Sequence, residues 1–183
     1  MPCTPSQLYD FPSIFLKFDK NFTVKNTPDY FKVYAPRLYN YYMETINHFI
    51  SHYPNSIKQN YEGAAFAAMT FNLGPRTISF PHRDFANLSW GWCAITALGE
   101  FNADEGGHLV LWDLKLAIRF PRGSCIIIPS AMVRHSNASI GETEKRYSIA
   151  QYSASGLFRW ADNGFMSDEE WEAKASKEEK EMG

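Results

Sequence analysis

Apolar residues recur at Phe31, Tyr34, Leu38, Tyr42, Ile46, Phe49 and Tyr53, in steps of three and four. Such steps line one face of an α-helix and predict one over about residues 27–54, packed on the outside of a core. Thr27-Pro28 supplies its start, with Thr27 as N-cap and Pro28 at the first helical position, and Pro54-Asn55 its stop. Pro36 falls inside the pattern and predicts a kink or a restart, because its ring removes a backbone donor. From Ala64 the period shortens. Runs at 65–73, 76–80, 91–98, 108–112, 115–120, 124–128, 132–136 and 146–153 read as short strands. Turns such as Ala103-Asp104-Glu105-Gly106-Gly107 and Pro121-Arg122-Gly123 separate them. Ile126-Ile127-Ile128-Pro129 reads as a buried strand stopped by its proline. Many short strands with turns at this spacing predict a sandwich or jelly roll.

The two ends of the chain read differently. Residues 1–26 show no period and are expected to form an irregular arm with a short strand around Ser13–Lys17. Ser167 with Glu170 forms a capping box for a last helix whose strongly apolar residue is Trp171, so a mostly solvated helix is expected. The fold class is therefore mainly β with flanking helices (α+β). One domain is expected over 1–166, with a β-core at about 65–155, followed by an acidic helix and tail at 167–183.

Composition changes this picture little. The chain has 183 residues, which suits one domain, and 45% are hydrophobic, enough for a sizeable core. Charge is unevenly placed. Residues 167–183 hold seven acids against three lysines, so the overall −2 leaves the remaining body at +2. A generally basic nucleic-acid binder is excluded, and any such binding must use a local patch. Three cysteines, Cys3, Cys93 and Cys125, are too few and too scattered for a disulfide framework or a zinc cluster. Cys93 and Cys125 lie in apolar runs and are expected to be buried thiols. No apolar run reaches the length of a membrane span and no secretory signal is evident, so no membrane partner and an intracellular location are expected.

The chemistry is concentrated between Phe80 and Tyr152. His82 and Asp84 point the same way if their segment is extended, since side chains alternate along a strand. With His135 arriving from a later strand, two histidines and a carboxylate are the set a facial Fe(II) site uses, leaving the other metal positions open. Arg146 and Ser148 share a face by the same period, and a guanidinium fork beside a hydroxyl is a receptor for a buried carboxylate. Arg83 falls on the opposite face from the ligands, where a phosphate or an acid could meet it. His48 and His52 stand four apart, but with no third ligand nearby they read as ordinary helix-surface histidines.

The order His-x-Asp, a gap of about fifty residues, His, then Arg-x-Ser resembles the 2-oxoglutarate and Fe(II)-dependent dioxygenases, whose core is a double-stranded β-helix. The resemblance implies Fe(II) held by His82, Asp84 and His135, the far carboxylate of 2-oxoglutarate held by Arg146 and Ser148, and O2 at the last metal position. A narrower likeness lies in His82-Arg83-Asp84-Phe85-Ala86-Asn87 followed by Gly91-Trp92-Cys93-Ala94-Ile95-Thr96. This is similar to the TET/JBP family, which oxidises the 5-methyl group of pyrimidines in nucleic acid. The match implies that Asn87 contacts the target base, that His108 of Gly-Gly-His-Leu touches 2-oxoglutarate, and that Tyr152 stacks on the flipped base. It covers roughly residues 65–165 and is closest to compact fungal-type members. The sequence departs from the family at Ala154, where a base-contacting histidine is expected, and it carries no Cys-rich extension. The implied activity is oxidation of 5-methylcytosine in nucleic acid, with DNA as partner, in a nuclear, monomeric enzyme. Two other classes stay open: a 2-oxoglutarate dioxygenase of a protein side chain or small molecule, and a non-catalytic jelly-roll binder.

Overall fold

The computed structural model describes residues 27–174. Its elements, in order, are α1 (Thr27–Tyr34), α2 (Pro36–His52), β1 (Ala68–Asn72), β2 (Cys93–Glu100), β3 (Leu109–Leu111), β4 (Leu116–Ile118), β5 (Cys125–Ile128), β6 (His135–Asn137), β7 (Lys145–Tyr152), α3 (Ser155–Asp162) and α4 (Asp168–Lys174). The strands form two antiparallel sheets, β1-β7-β2-β5 and β4-β3-β6. The mainly β, α+β jelly-roll arrangement with helices outside is the one the pattern predicts.

Alternation along two strands explains the layers. On β5, Ile126 and Ile128 join Leu109, Leu111, Ile118 and Phe120 between the sheets. Cys125 and Ile127 point the other way, onto Phe31, Tyr42, Phe66 and Phe158. Cys93 and Ala97 against Ala94 repeat the division on β2. Strands β2 and β5 are thus buried on both faces, by the smaller sheet within and by helices without, while the edge strand β1 stays partly exposed. Phe31 anchors the outer layer. It is fully buried and stacks on Phe66 at 5.3 Å, and such a ring contributes on the order of 1.5–3 kcal/mol of burial free energy.

The predicted helix restarts at Pro36 as expected: it is two helices, parted at Ala35, because Pro36 opens α2 and forces its predecessor out of helical conformation. Two features differ from expectation. Thr27 is the first residue of α1 rather than its cap, and its hydroxyl accepts a hydrogen bond from Gln151 Nε2 at 3.0 Å instead. Residues 76–80 form no strand. They belong to a strap that changes partner midway, bonding β7 at Arg146 (Arg146 N to Pro75 O, 2.8 Å; Thr77 N to Arg146 O, 3.1 Å) and then crossing to β6. Helix α3 carries no side-chain cap and was not anticipated, whereas the Ser167–Glu170 capping box closes as expected. The strand expected around Ser13–Lys17 and the tail beyond Lys174 lie outside the described residues.

Candidate active site

The end of the strap positions the first candidate ligand. His82 forms an antiparallel bridge with His135, each backbone N–H donating to the other's carbonyl at 3.0 and 2.9 Å. Asp84 N donates to Ser130 O at 3.0 Å, so the segment stays extended and His82 and Asp84 share a side. The result is a His82–Asp84–His135 cluster with ligand atoms all within 4.8 Å of one another. His82 Nε2 lies 3.5 Å from Asp84 Oδ1, and His135 Nε2 3.9 Å from Asp84 Oδ2.

Tautomers follow from the second nitrogen of each ring. His82 Nδ1 lies 2.7 Å from Phe80 O and His135 Nδ1 2.9 Å from Val133 O. A carbonyl only accepts, so each Nδ1 carries the proton and each Nε2 presents its lone pair to the centre. Backbone carbonyls behind metal-binding imidazoles do this routinely. Burial lowers the pKa of His135 and so favours its neutral form. The donor set, two imidazoles and one carboxylate with free outward positions, fits Fe(II). His135 is 4% exposed against 42% and 34% for His82 and Asp84, so the centre is reached from their side.

Arg146 lies in the wall of the same cavity. This space of roughly 470 Å³ is lined by β7 residues Arg146, Ser148, Ala150 and Tyr152, by Thr70 and Asn72 of β1, and by His82, Asp84 and His135. Arg146 is 2% exposed, yet no acid pairs with it among the described residues. One nitrogen donates to Thr77 O at 3.3 Å and its Nε has no partner. Burial alone pulls its pKa down to about 10. A buried cation left this way needs an anion. Beside it, Ser148 Oγ accepts from Asn72 Nδ2 at 3.0 Å, which leaves the hydroxyl proton to donate.

Asn87 and Tyr152 also reach the cavity. Asn87 Nδ2 is used by Ser130 Oγ at 3.1 Å and Asp84 Oδ2 at 3.5 Å, while its Oδ1 makes no hydrogen bond among the described residues. The Tyr152 hydroxyl meets Thr70 Oγ1 at 3.3 Å, which fixes the ring against the wall. His108 is not brought there. It precedes β3, where Leu109 faces the cavity, so alternation turns His108 toward Arg119 and Asp104. Arg83 meets an acid, Asp113, at 3.1 Å, and donates to Met132 O. Cys93 and Cys125 are buried as expected, and burial raises them to about 12 and about 11. His52 stacks on Phe165 at 4.2 Å, and no second metal cluster appears among the described residues.

The sequence reading missed Asn72, Thr77, Phe85 and Asn137, all of which line the cavity. Asn137 could have been found, because it stands two residues after His135 on the same strand face. Asn72 could not, since its partner Ser148 lies 76 residues away.

No helix among the described residues is long and apolar enough to cross a membrane. No family model and no curated protein matches the chain. Among solved structures, NgTET1 in complex with 5mC DNA is similar at 20% identity and a TM-score of 0.48, covering 62% of this chain and 42% of its own. The chain therefore spans about two fifths of the length of NgTET1. A viral collagen prolyl hydroxylase from Paramecium Bursaria Chlorella virus-1, in its 2OG complex, is similar at 14% identity and a TM-score of 0.34, covering 60% of this chain and 68% of its own. A truncated form of that hydroxylase aligns at 14% identity, with a TM-score of 0.33 and coverages of 59% and 65%.

Proposed function

We propose that this chain is a 2-oxoglutarate and Fe(II)-dependent dioxygenase that oxidises the 5-methyl group of a methylated pyrimidine, 5-methylcytosine in DNA foremost. One observation carries the oxygenase reading. A fully buried arginine with an unpartnered Nε shares a cavity with a His–Asp–His cluster. That pairing of an anion receptor with a facial metal site is what a dicarboxylate co-substrate of a metal oxidation requires.

In this reading His82, Asp84 and His135 hold Fe(II), and Arg146 and Ser148 hold the distal carboxylate of 2-oxoglutarate. Bound Fe(II) with 2-oxoglutarate and O2 supplies the oxidation: one oxygen atom enters succinate as CO2 leaves, and the other becomes hydroxyl on the substrate carbon. The chain's residues orient and exclude. Phe85 and Ile78, both apolar and exposed at the cavity wall, offer surface that a bound substrate would cover. Tyr152 offers a fixed ring face to a base that has left its stack, worth about 1–3 kcal/mol. Asn87, with its amide nitrogen committed, presents only Oδ1, an acceptor suited to an exocyclic amino group such as that of cytosine.

The test is incubation of the protein with Fe(II), 2-oxoglutarate and duplex DNA carrying 5-methylcytosine, followed by digestion and mass spectrometry. Wild type is expected to give succinate together with oxidised cytosines. Asp84→Ala is expected to give neither while keeping its melting temperature. Succinate without oxidised cytosine would move the substrate to another base, RNA, a protein side chain or a small molecule. Full turnover by Asp84→Ala would remove the metal assignment.

A further inference from the structure

The strap over residues 75–82 is fastened at both ends of the cavity, and one buried side chain does the fastening on the β6 side. Asn137 is 7% exposed. Its Oδ1 accepts from Ser79 N and from Ser79 Oγ, each at 2.7 Å. Its Nδ2 donates to Thr77 O at 3.3 Å and to Ala138 O at 3.1 Å. All of its amide hydrogen-bonding groups are engaged.

Register explains why a side chain is needed. His82 pairs with His135, but Asn137 N donates to Ser79 O at 3.3 Å, not to residue 80. Phe80 and Pro81 therefore stand opposite Ser136 alone, an extra residue on the strap side, as in a β-bulge. Pro81 has no N–H to pair, and the Ser79 N–H finds the Asn137 side chain where a ladder carbonyl would be. The bulge turns the Phe80 carbonyl to His82 Nδ1. The Thr77 carbonyl, held by the other end of the same amide, meets the Arg146 guanidinium.

We infer that Asn137 is a positioning residue that sets the metal ligand His82 and the carboxylate receptor Arg146 in register with each other, through the Ser79 and Thr77 ends of one strap. The inference rests on the function proposed above for its co-substrate half. Its metal half stands on the cluster alone. Asn137 touches neither group's reacting atoms; it acts through two carbonyls that do the orienting.

The experiment measures two affinities in folded protein, well below the melting temperature. Mn(II) binding is followed by electron paramagnetic resonance without co-substrate, and 2-oxoglutarate binding by calorimetry at saturating Mn(II). Loss of a partner behind a metal ligand weakens metal binding by about ten- to a hundred-fold. Asn137→Ala is expected to weaken Mn(II) by about ten-fold and 2-oxoglutarate by a comparable factor. Gln151→Ala serves as the control for a merely structural loss: Gln151 is as buried but bonds to Tyr61 and Thr27, so its removal should lower the melting temperature and leave both affinities unchanged. Should Asn137→Ala not fold, Ser79→Ala, which removes a single hydroxyl donor, is expected to weaken Mn(II) binding by a smaller factor. Either affinity unchanged in Asn137→Ala, or Mn(II) binding unchanged in Ser79→Ala when that variant carries the test, overturns the inference. Wild type that binds Mn(II) but not 2-oxoglutarate overturns the co-substrate reading instead, and the two failures are told apart by the Mn(II) arm.

Discussion

The two faces of β7 bury polar side chains in opposite ways. On the helix side, Gln151 is 1% exposed and satisfied at both ends: its Oε1 accepts from the Tyr61 hydroxyl at 2.8 Å and its Nε2 donates to Thr27. On the cavity side, Arg146 is as deeply buried but has one carbonyl and an idle Nε. A satisfied buried network specifies structure, whereas a buried charge without a partner costs stability and persists where a ligand completes it. The strand thus separates a part that holds the fold from a part that waits for an anion, and each side can be tested against the other.

The largest effect is expected at Arg146. A carboxylate deprived of its fork loses about 2–5 kcal/mol, a fall of roughly thirty-fold to several thousand-fold in affinity. Arg146→Leu should weaken 2-oxoglutarate binding by that range in calorimetry, without lowering the melting temperature, because an apolar replacement relieves an uncompensated buried charge. A melting temperature that fell sharply would erase the contrast between the faces. Gln151→Ala should do the reverse. It removes both hydrogen bonds of a buried amide at a cost of about 1–3 kcal/mol, and thermal denaturation should show it at roughly 2–4 °C per kcal/mol. Its 2-oxoglutarate affinity should stay at the wild-type level.

Ser148→Ala sharpens the cavity side. One hydroxyl donor contributes about 1 kcal/mol net, so 2-oxoglutarate binding should weaken roughly five-fold. Equal affinity would place the carboxylate on Arg146 alone. The smallest effect concerns pH. Burial lowers Arg146 to about 10, below its value in the unfolded chain. Between about pH 10 and the ordinary arginine range, the unfolded chain keeps a proton that the folded one has released, so this group's contribution to stability rises with pH there. Calorimetric affinity for 2-oxoglutarate should fall as pH rises through about 10, and saturating ligand should suppress that gain in stability. A pH-independent affinity would mean that the guanidinium keeps its proton throughout this range.

Much of this was legible in the sequence because it is local. The three- and four-residue apolar steps located the paired helices, and Pro36 marked the break. Period two placed His82 with Asp84 and Arg146 with Ser148, because side-chain direction along an extended segment depends only on parity. Parity also accounts for His108, which a Gly-Gly-His likeness assigned to the co-substrate and which Leu109 displaces to the other face. What stayed hidden depends on distant partners. The strap at 75–82 looks like a strand in isolation, and only its two sets of bonds, to β7 and then to β6, show why it is none. Asn72 gains its meaning from a contact 76 residues away. Helix α3 begins without a side-chain cap, so no start signal announced it.

Strand β5 has a consequence for how the chain reaches this structure. Cys125-Ile126-Ile127-Ile128 is apolar on both faces and ends its sheet, so among the described residues one of its edges has no neighbouring strand. Before the helices and the smaller sheet cover it, that tetrapeptide is a template on which other copies could add strands. Pro129 follows it directly, and Arg122 and Gly123 precede it. A residue that cannot donate and a charge close by are the flanks that discourage stacking in a growing aggregate. Replacing Pro129 should therefore show first as loss of soluble yield on refolding at high protein concentration, before any change in the finished site.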